Sequence, residues 1–332
     1  MKKWFVCAFI VLCGVAWSQS IFMAGQAEIR AAVERSLPLL AKSSHSFLEN
    51  AGCHSCHSQG MGMIVLGMAK DKGFAINEGA LREAMDSVTR DMNGQRFISA
   101  ESTDPQGFII TGGYDMWGLS VNRYPATKPI LLMIRDLMER QTGQGNWIPT
   151  GLRPPLEYYP FSGTAMMIRA MRDFAASQWK DEVRIKIGRA RDWLLRTAAR
   201  ANEERAYQLL GLSWAGASRD EMALMGRVLL AQQRSDGGWS QLDSLSSDSY
   251  ATGQSLFALN QAGLLGTEEP AYQKGVSFLL KTQFEDGSWE VKSRTIPTIP
   301  YVSSGFPHGD NQFISAAGTS WAVMALMLAA KP

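Results

Sequence analysis

Two kinds of apolar pattern alternate along the chain. One kind is amphipathic, with an apolar stripe at helical spacing and charged residues opposite, which is typical of helices that cover a core. The other is apolar nearly all round and rich in small residues, as expected of helices buried on every side. The amphipathic segments are approximately residues 26–42, 78–93, 126–141, 181–199, 219–233 and 268–283. The apolar segments are approximately residues 57–69, 114–121, 162–171, 205–214, 250–259 and 318–326. Six exposed and six buried helices in alternation predict an all-α fold, an (α/α)6 toroid of outer and inner helices.

A short sequence recurs between these segments. Residues 141–147, 233–239 and 283–289 each begin with Gln at the end of an amphipathic segment, turn through Gly and finish on Trp. Internal repeats indicate that one structural unit is used several times. We expect Gly to end each outer helix, because it adopts the left-handed conformation without strain. We expect the Gln side chain to bond freed backbone groups of the turn, and the Trp to stack against the neighbouring repeat.

These repeats resemble the QW motifs of the squalene cyclase and prenyltransferase-repeat superfamily. The resemblance covers roughly residues 126–332 and extends more faintly to the helix pairs before them, while the pair at 181–215 keeps its helices without the Gln and Trp pattern. It implies an α/α barrel with a central apolar cavity for isoprenoids. We therefore expect one barrel domain over residues 19–332 and an apolar small molecule as one partner.

The resemblance does not carry over the chemistry of that superfamily. Its hopene-forming members use a D-x-D-D motif at the start of an inner helix, where a strong acid protonates an alkene. Aligned on Thr252, this chain keeps Asp248 and has Tyr250 in place of the proton-donating Asp, and a phenol is far too weak an acid. The prenyltransferase branch uses zinc, but residues 317–319 offer neither Cys nor His. A terpene cyclase-like enzyme would therefore need a displaced acid, such as Asp248 or Asp310.

The first repeat carries a different motif. Cys53, Cys56 and His57 form C-x-x-C-H, the attachment motif for c-type haem, in which two thiols add to one porphyrin and the adjacent imidazole binds the iron. They lie in the loop where later repeats have Asp-Gly-x-Trp, so we expect one covalent haem c on a rim of the barrel. Two alternatives stay open: a small redox disulfide, and a zinc site made by the same three residues with His45.

The motif also suggests which residues ligate the iron. His57 is the predicted proximal ligand. His45 precedes the motif by eight residues and is a candidate distal ligand, although an open sixth position would serve ligand binding or peroxide chemistry. Met61 follows His57 on the same helix face and is therefore a poor distal ligand. His54 is interpreted as a solvated loop residue.

A loop rich in Gly and Pro precedes the last inner helix. In a toroid it would lie on the rim that holds the haem motif and Asp248, so His308 and Asp310 are candidates for a distal ligand or an acid/base pair. The alternative is that Asp310 caps the following helix. Arg294 and Tyr301 are weaker candidates for binding a haem propionate.

The N-terminus indicates export. Lys2 and Lys3 precede an apolar run over residues 4–16 that is too short to span a bilayer, and residues 16–18 offer a cleavage site. We expect a signal peptide over residues 1–18, a periplasmic mature protein, and no later segment apolar enough to span. Two of the 4 cysteines, Cys7 and Cys13, leave with that signal. The net charge of +2 does not suggest nucleic acid as a partner.

Together these observations predict an exported c-type haem protein on a squalene-cyclase-like barrel. Its expected role is electron transfer or haem-based redox chemistry, with an unidentified redox partner protein and an apolar or isoprenoid ligand in the barrel. The rival hypotheses are a terpene cyclase-like enzyme with a displaced acid, and a binding or structural module in which the haem is only a sensor or a staple.

Overall fold

The computed structural model describes residues 24–101, 108–151, 153–295 and 302–331. The predicted signal peptide and Tyr301 lie outside these ranges. Within them the chain is helical, without a β-strand. The odd-numbered helices are α1 (Gln26–Ala51), α3 (Glu78–Glu101), α5 (Lys128–Glu139), α7 (Lys180–Arg196), α9 (Arg219–Leu230) and α11 (Pro270–Thr282). The even-numbered helices are α2 (Met61–Asp71), α4 (Phe108–Val121), α6 (Pro160–Phe174), α8 (Asn202–Trp214), α10 (Ser249–Gln261) and α12 (Gln312–Ala329).

The even-numbered helices form an inner ring and the odd-numbered helices surround it. Each inner helix packs on the next, and α12 packs on both α10 and α2, which closes the ring. Every residue of α10 from Ser249 to Leu259 is buried. This arrangement confirms the predicted toroid. Two outer helices run further than the pattern indicated, since α1 continues to Ala51 and α3 to Glu101.

Aromatic side chains from several inner helices meet inside the ring. The ring of Trp117 lies 5.1 Å from Trp214, 6.0 Å from Phe257 and 5.9 Å from Trp321, measured between centroids. The guanidinium of Arg169 stands 5.1 Å from the rings of both Trp117 and Trp214. All four aromatic residues are buried, so this part of the interior is filled by the chain's own side chains.

The repeated turn joins neighbouring outer helices. Gln233 donates one hydrogen bond to the carbonyl of Gly237 in its own turn, at 2.9 Å, and another to the carbonyl of Ala271 at the start of the next outer helix, at 2.8 Å. The indole Nε1 of Trp239 donates to the carbonyl of Leu229 at 2.8 Å, which caps the helix that the turn ends. The expected role of Gln is confirmed, whereas the indole hydrogen-bonds within its own repeat.

The same geometry recurs at the other two turns. Gln141 and Gln283 each bond the Gly of their own turn and the following outer helix, and Trp147 and Trp289 each cap the helix before them. The glycine has a positive φ at every copy, 89° at Gly237, and a Cβ there would lie 2.4 Å from the carbonyl oxygen of Lys274. Only glycine fits this close approach.

The last copy of the turn closes the ring. Gln283 follows α11, and its amide donates to the carbonyl of Ala32 in α1 at 2.9 Å. Ser36 of α1 donates in return to the carbonyl of Gly287 at 2.6 Å. The C-terminal end adds a further link, since Gln26 donates to the carbonyl of Ala329 at 3.2 Å. The first and last helix pairs are thereby joined by the same glutamine contact that joins other neighbouring pairs.

The inner helix α12 corrects one prediction from the sequence. The segment Gly309–Ala329 is long and apolar enough to cross a membrane, contrary to the expectation that no later segment would be. Of that segment's apolar window, 89% is buried inside the structure. A core helix surrounded by other helices has the same composition as a spanning one, so this helix is accounted for by its place in the inner ring.

Replacing the closing glutamine is expected to weaken the whole fold. Gln283→Ala removes the hydrogen bonds from its amide to Ala32, Ser36 and Gly287, so we expect the free energy of unfolding to fall by about 2 kcal/mol. Chemical denaturation followed by circular dichroism measures it. Gln144→Ala, which removes an exposed glutamine from a repeat turn, is the control and should change little. Equal stability of the two variants would show that this link does not close the ring.

Candidate functional site

The C-x-x-C-H motif occupies the junction between α1 and α2. Gly52 ends α1 with a positive φ of 70° and donates its N–H to the carbonyl of Leu48. Ser55 then caps a short π-helical turn, Cys56–Gly60, by accepting from the N–H of Ser58 at 3.1 Å. The turn runs directly into α2, so the position of the motif is fixed at both ends by helices. Wide turns of this kind are frequent at functional sites.

The two thiols have different surroundings. Both cysteines are free; Cys53 is exposed and Cys56 is buried. The thiol of Cys56 donates to Oε1 of Glu157 at 2.9 Å. Burial, together with the charge of Glu157, raises the pKa of Cys56 well above its usual range, so this sulfur is held as a neutral thiol. Burial and the nearby Asp91 also raise the pKa of Cys53.

The imidazole of His57 is buried between two phenyl rings. Its centroid lies 5.4 Å from that of Phe47 in α1 and 6.0 Å from that of Phe313 in α12, with the rings edge-on. Burial lowers the pKa of His57 to about 3, and the positive charge of Arg153 lowers it further, so the ring is neutral. Nδ1 lies 3.9 Å from the sulfur of Cys56, and no described group hydrogen-bonds to Nε2. A neutral imidazole with an unpartnered nitrogen is the form that ligates metals.

Glu157 is a site residue that the sequence did not reveal. One donor atom from each of Cys56, His57 and Glu157 lies within 4.8 Å of the others, and all three residues are buried. Such a set of sulfur, nitrogen and oxygen atoms suits zinc. Arg153, however, pairs with Glu157, donating from Nε to Oε2 at 2.9 Å, and its charge opposes a bare cation there. No motif marks Glu157, because its role arises only when the turn before α6 folds over the first helix pair.

His54 is not the solvated loop residue that the sequence suggested. Its side chain is 5% exposed and lies between two carboxylates. Nδ1 is 2.5 Å from Oδ2 of Asp91 in α3, and Nε2 is 2.8 Å from Oδ2 of Asp115 in α4. Burial alone would lower the pKa of His54, but the two carboxylates raise it to about 9. The sequence gives no sign of this pairing, because the two acids stand 37 and 61 positions away from His54.

His45 lies on the outer surface of α1 and is bound there by acids. Its Nδ1 is 2.9 Å from an oxygen of Glu83 in α3, and its Nε2 is 3.3 Å from Glu49. These carboxylates raise the pKa of His45, Glu83 having the largest effect. The ring also lines a cleft of about 840 Å³ between α1 and α3. The structure does not place His45 in contact with Cys56 or His57, and its role as a distal ligand stays a prediction.

His308 and Asp310 do not form a hydrogen-bonded pair. Nε2 of His308 is 2.8 Å from the hydroxyl of Ser288, and its ring centroid lies 5.1 Å from that of Phe284. Asp310 is exposed, and its carboxylate has no hydrogen bond or ion pair with any described residue. It does not cap α12 either, since Asn311 occupies the cap position and no side chain caps that helix. Their role as an acid/base pair stays a prediction.

Asp248 caps an inner helix. Its carboxylate accepts from the N–H of Ala251 at 2.8 Å and from the side chain of Gln241 at 2.9 Å. Burial raises the pKa of Asp248 to about 6. Arg294 binds the other end of Gln241, donating from Nε at 2.9 Å. Both residues therefore fix the start of α10.

A second buried acid, Glu203, lies beside Tyr250 and was also missed. The phenol of Tyr250 donates to Oε2 of Glu203 at 2.9 Å, and Gln254 donates to the same oxygen at 2.7 Å. Oε1 is buried without a partner among the described residues. Burial raises the pKa of Glu203 to about 8, so the acid is largely protonated at neutral pH. Glu204 accepts from the backbone N–H of Ala201 at 2.9 Å and so caps this helix start, which accounted for the acidic pair in the sequence and left Glu203 without a signal of its own.

The pH dependence of stability is expected to report on Glu203. Its pKa is raised in the folded state from an ordinary value of 4.5 to about 8. Its contribution to stability is therefore complete below pH 4.5 and is lost progressively as the pH rises towards 8. We expect Glu203→Gln to flatten that decline, leaving a smaller slope from Asp248 at lower pH. Denaturation curves between pH 4 and 9 measure this, with the exposed Glu268→Gln as control. An unchanged slope in Glu203→Gln would contradict the assignment.

The comparisons with known proteins place the fold. No family model matches the sequence, and no curated protein sequence matches it. The structure is similar to that of the type II terpene cyclase MstE from Scytonema in complex with its product, merosterolic acid A, with 14% identity and a TM-score of 0.57, covering 92% of this chain and 98% of that one. It is similar to the same enzyme with its substrate, geranylgeranyl dihydroxybenzoate, at 13% identity, a TM-score of 0.56 and the same coverage. A protein from Actinoplanes matches at 14% identity and a TM-score of 0.58, covering 92% of this chain and 100% of that one. The chain thus has a squalene-cyclase-like α/α toroid fold.

Proposed function

We propose that this chain is an exported c-type haem protein built on a terpene cyclase-like toroid, with a role in electron transfer or haem-based redox chemistry. One observation carries the proposal. Two free thiols and a buried, neutral imidazole, Cys53, Cys56 and His57, meet in one fixed loop between the first outer and inner helices. Cys56 and His57 also pack in the interior, but packing does not account for the free, exposed thiol of Cys53 at the first position of an intact haem-attachment motif.

The residues present fit the group in chemistry. The thiols of Cys53 and Cys56 are unpaired, as thioether formation requires, and Nε2 of His57 is without a partner among the described residues. A haem bound there would supply one-electron redox chemistry through an iron held by His57. Arg153, whose charge reaches His57, offers a cation for a carboxylate of the group.

The chain's own residues prepare this site in three ways. The ring edges of Phe47 and Phe313 fix the plane of the imidazole and exclude water from it. Glu157 accepts the hydrogen of the Cys56 thiol and keeps that sulfur pointing inward, and Arg153 holds Glu157 in place. A neutral imidazole needs no proton loss before ligation, which favours binding at neutral pH.

The remaining parts of the proposal concern location and partners. The predicted signal over residues 1–18 suits an exported protein with haem c and an exported redox partner. The proposed redox role does not require an apolar ligand in the barrel. The packing of Trp117 against Trp321 in the interior also leaves less room for one.

The haem proposal is tested by covalent attachment. The full chain, expressed with its signal and with c-type haem maturation proteins, should retain haem after denaturation and give a pyridine haemochrome spectrum with one haem per chain. Cys53→Ser with Cys56→Ser should abolish covalent haem, and His57→Ala should lose the absorbance of a histidine-ligated iron. Asp71→Asn, which breaks an exposed ion pair with Arg123, is the control and should load normally.

Metal analysis of the same samples separates the alternatives. A wild-type chain without haem but with one zinc per chain would replace the haem proposal by a metal site at Cys56, His57 and Glu157. A chain with neither haem nor metal would overturn both.

A second candidate function is cyclase-like acid catalysis, favoured by the fold and by Glu203. This acid and Tyr250 lie at the starts of neighbouring inner helices, next to the ring of Trp321, whose centroid is 6.5 Å from that of Tyr250. Aromatic faces stabilise positive charge, as a cyclisation reaction requires. The raised pKa of Glu203, however, makes it a weaker acid than an ordinary carboxyl group, which is unfavourable for protonating an alkene.

The two functions give opposite results with an isoprenoid substrate. A prenylated phenol such as geranylgeranyl dihydroxybenzoate should remain unchanged on incubation with the protein if haem chemistry is its role. A cyclised product that persists in the Cys53→Ser, Cys56→Ser variant and disappears in Glu203→Gln would support the cyclase instead. Product analysis by chromatography and mass spectrometry decides between them.

A further inference from the structure

The residue between the two thiols ties the attachment loop to two helices at once. His54 is the second residue of C-x-x-C-H, and its ring spans the space between Asp91 of α3 and Asp115 of α4. Its backbone N–H also points to Asp91, at 3.3 Å from Oδ2. Three contacts from one loop residue, two of them short, fix both the path of the backbone and the plane of the ring.

Burial of His54 and Asp115 carries a desolvation cost in free energy. The side chain of His54 is 5% exposed and that of Asp115 is 2% exposed. Removing charged or strongly polar groups from water costs free energy that such close contacts only partly restore. In addition, Oδ1 of Asp115 is buried without a partner among the described residues. These contacts therefore fix geometry while adding little to stability.

The contacts from His54 to Asp91 and Asp115 form a clamp on the attachment loop. The ring of helices closes through other contacts. Its closure uses the glutamine turn at Gln283 and the packing of α12 on α1 and α2. What the clamp controls is the segment between α1 and α2. The same segment is held on its other side by Gly60, where a Cβ would lie 2.9 Å from Cβ of Tyr114. The motif is thus fixed against α4 before and after the two positions Cys56 and His57.

We propose that His54 is a positioning residue, which holds the loop against Asp91 and Asp115 and so limits the positions that the exposed thiol of Cys53 can take relative to the buried thiol of Cys56 during covalent haem attachment. This inference rests on the proposed haem function. Because the loop is ordered by folding rather than by the cofactor, the entropy of ordering it is not lost at attachment. Without the clamp, Cys53, which lies on the exposed side of the loop, would sample positions away from Cys56.

The variants are His54→Gln, which keeps a donor for one carboxylate, and His54→Ala, which keeps none. We expect His54→Ala to lower the fraction of chains carrying covalent haem roughly tenfold, as loss of supporting contacts does at metal centres. We expect His54→Gln to rescue part of the loading. Intact-mass spectrometry and the haemochrome band position then show whether the residual haem is bound by one thioether or two, and one is expected.

A second measurement does not need haem. In a background of Cys53→Ser with Cys56→Ser, hydrogen exchange at the amides of residues 52–58 should be faster in His54→Ala than with His54 present. Amides of α8 and α10 should exchange at the same rate in both. Asp115→Asn and Asp91→Asn, which weaken the clamp from its other end, should reproduce the effect if His54→Ala does not fold.

The outcomes separate this inference from the haem proposal. A wild-type chain that takes no haem, with loop exchange still dependent on His54, would overturn the haem proposal and leave the clamp as a structural feature only. Normal loading with two thioethers in folded His54→Ala would overturn the inference and leave the haem proposal intact. Faster exchange throughout the inner helices of His54→Ala would show that the residue supports the fold as a whole, and would likewise overturn it.

Discussion

The closure of the ring of inner helices is the constraint on which the candidate site depends. The last outer helix is joined to the first through Gln283 and Ala32, and α12 is packed between α10 and α2. This closure brings Phe313, near the C-terminal end of the chain, against His57 near its N-terminal end. The pocket of the imidazole therefore has one wall from the first helix pair and one from the last. It can exist only when the whole toroid has formed.

The first repeat differs from the later ones in the turn that follows its outer helix. In the later repeats the turn places Trp147, Trp239 or Trp289 beneath the end of its own outer helix, where the indole caps a free carbonyl. In the first pair, Gly52 satisfies the end of α1 by a backbone hydrogen bond instead. No indole is needed there, and the following residues can present two thiols and an imidazole. The proposed haem site therefore replaces a structural turn and needs no separate domain.

The fold could be predicted from the sequence because its determinants are local and repeated. Helical spacing of apolar residues marks the two kinds of helix, and the recurring Gln and Trp mark the turns, where each copy supports the interpretation of the others. The same local information correctly predicted a buried inner helix over residues 318–326, but it underestimated the length and apolar character of α12, whose composition suits a core helix and a membrane helix equally. Position within the ring, which composition does not encode, decides between them.

The site could be predicted only in part, because its polar contacts join distant parts of the chain. The motif itself can be recognised in the sequence, since Cys53, Cys56 and His57 lie within five consecutive positions. The burial of His54 was not, because its partners Asp91 and Asp115 belong to other helices. Glu157 was missed for the same reason, and Glu203 because a neighbouring capping residue explains the acidic start of α8. A single sequence shows which ionisable side chains are present, but the fold determines which of them form hydrogen-bonded pairs.

We propose that the imidazole of His57 holds an iron at the rim of a closed ring of helices. Anomalous diffraction at the iron edge, from crystals of the protein purified with its maturation proteins, tests it most directly. We expect one anomalous peak at bonding distance from Nε2 of His57, with porphyrin density continuous with the sulfurs of Cys53 and Cys56. A peak bound instead by Cys56, Glu157 and Nδ1 of His57 without a macrocycle, or crystals that show no iron signal at all, would contradict it.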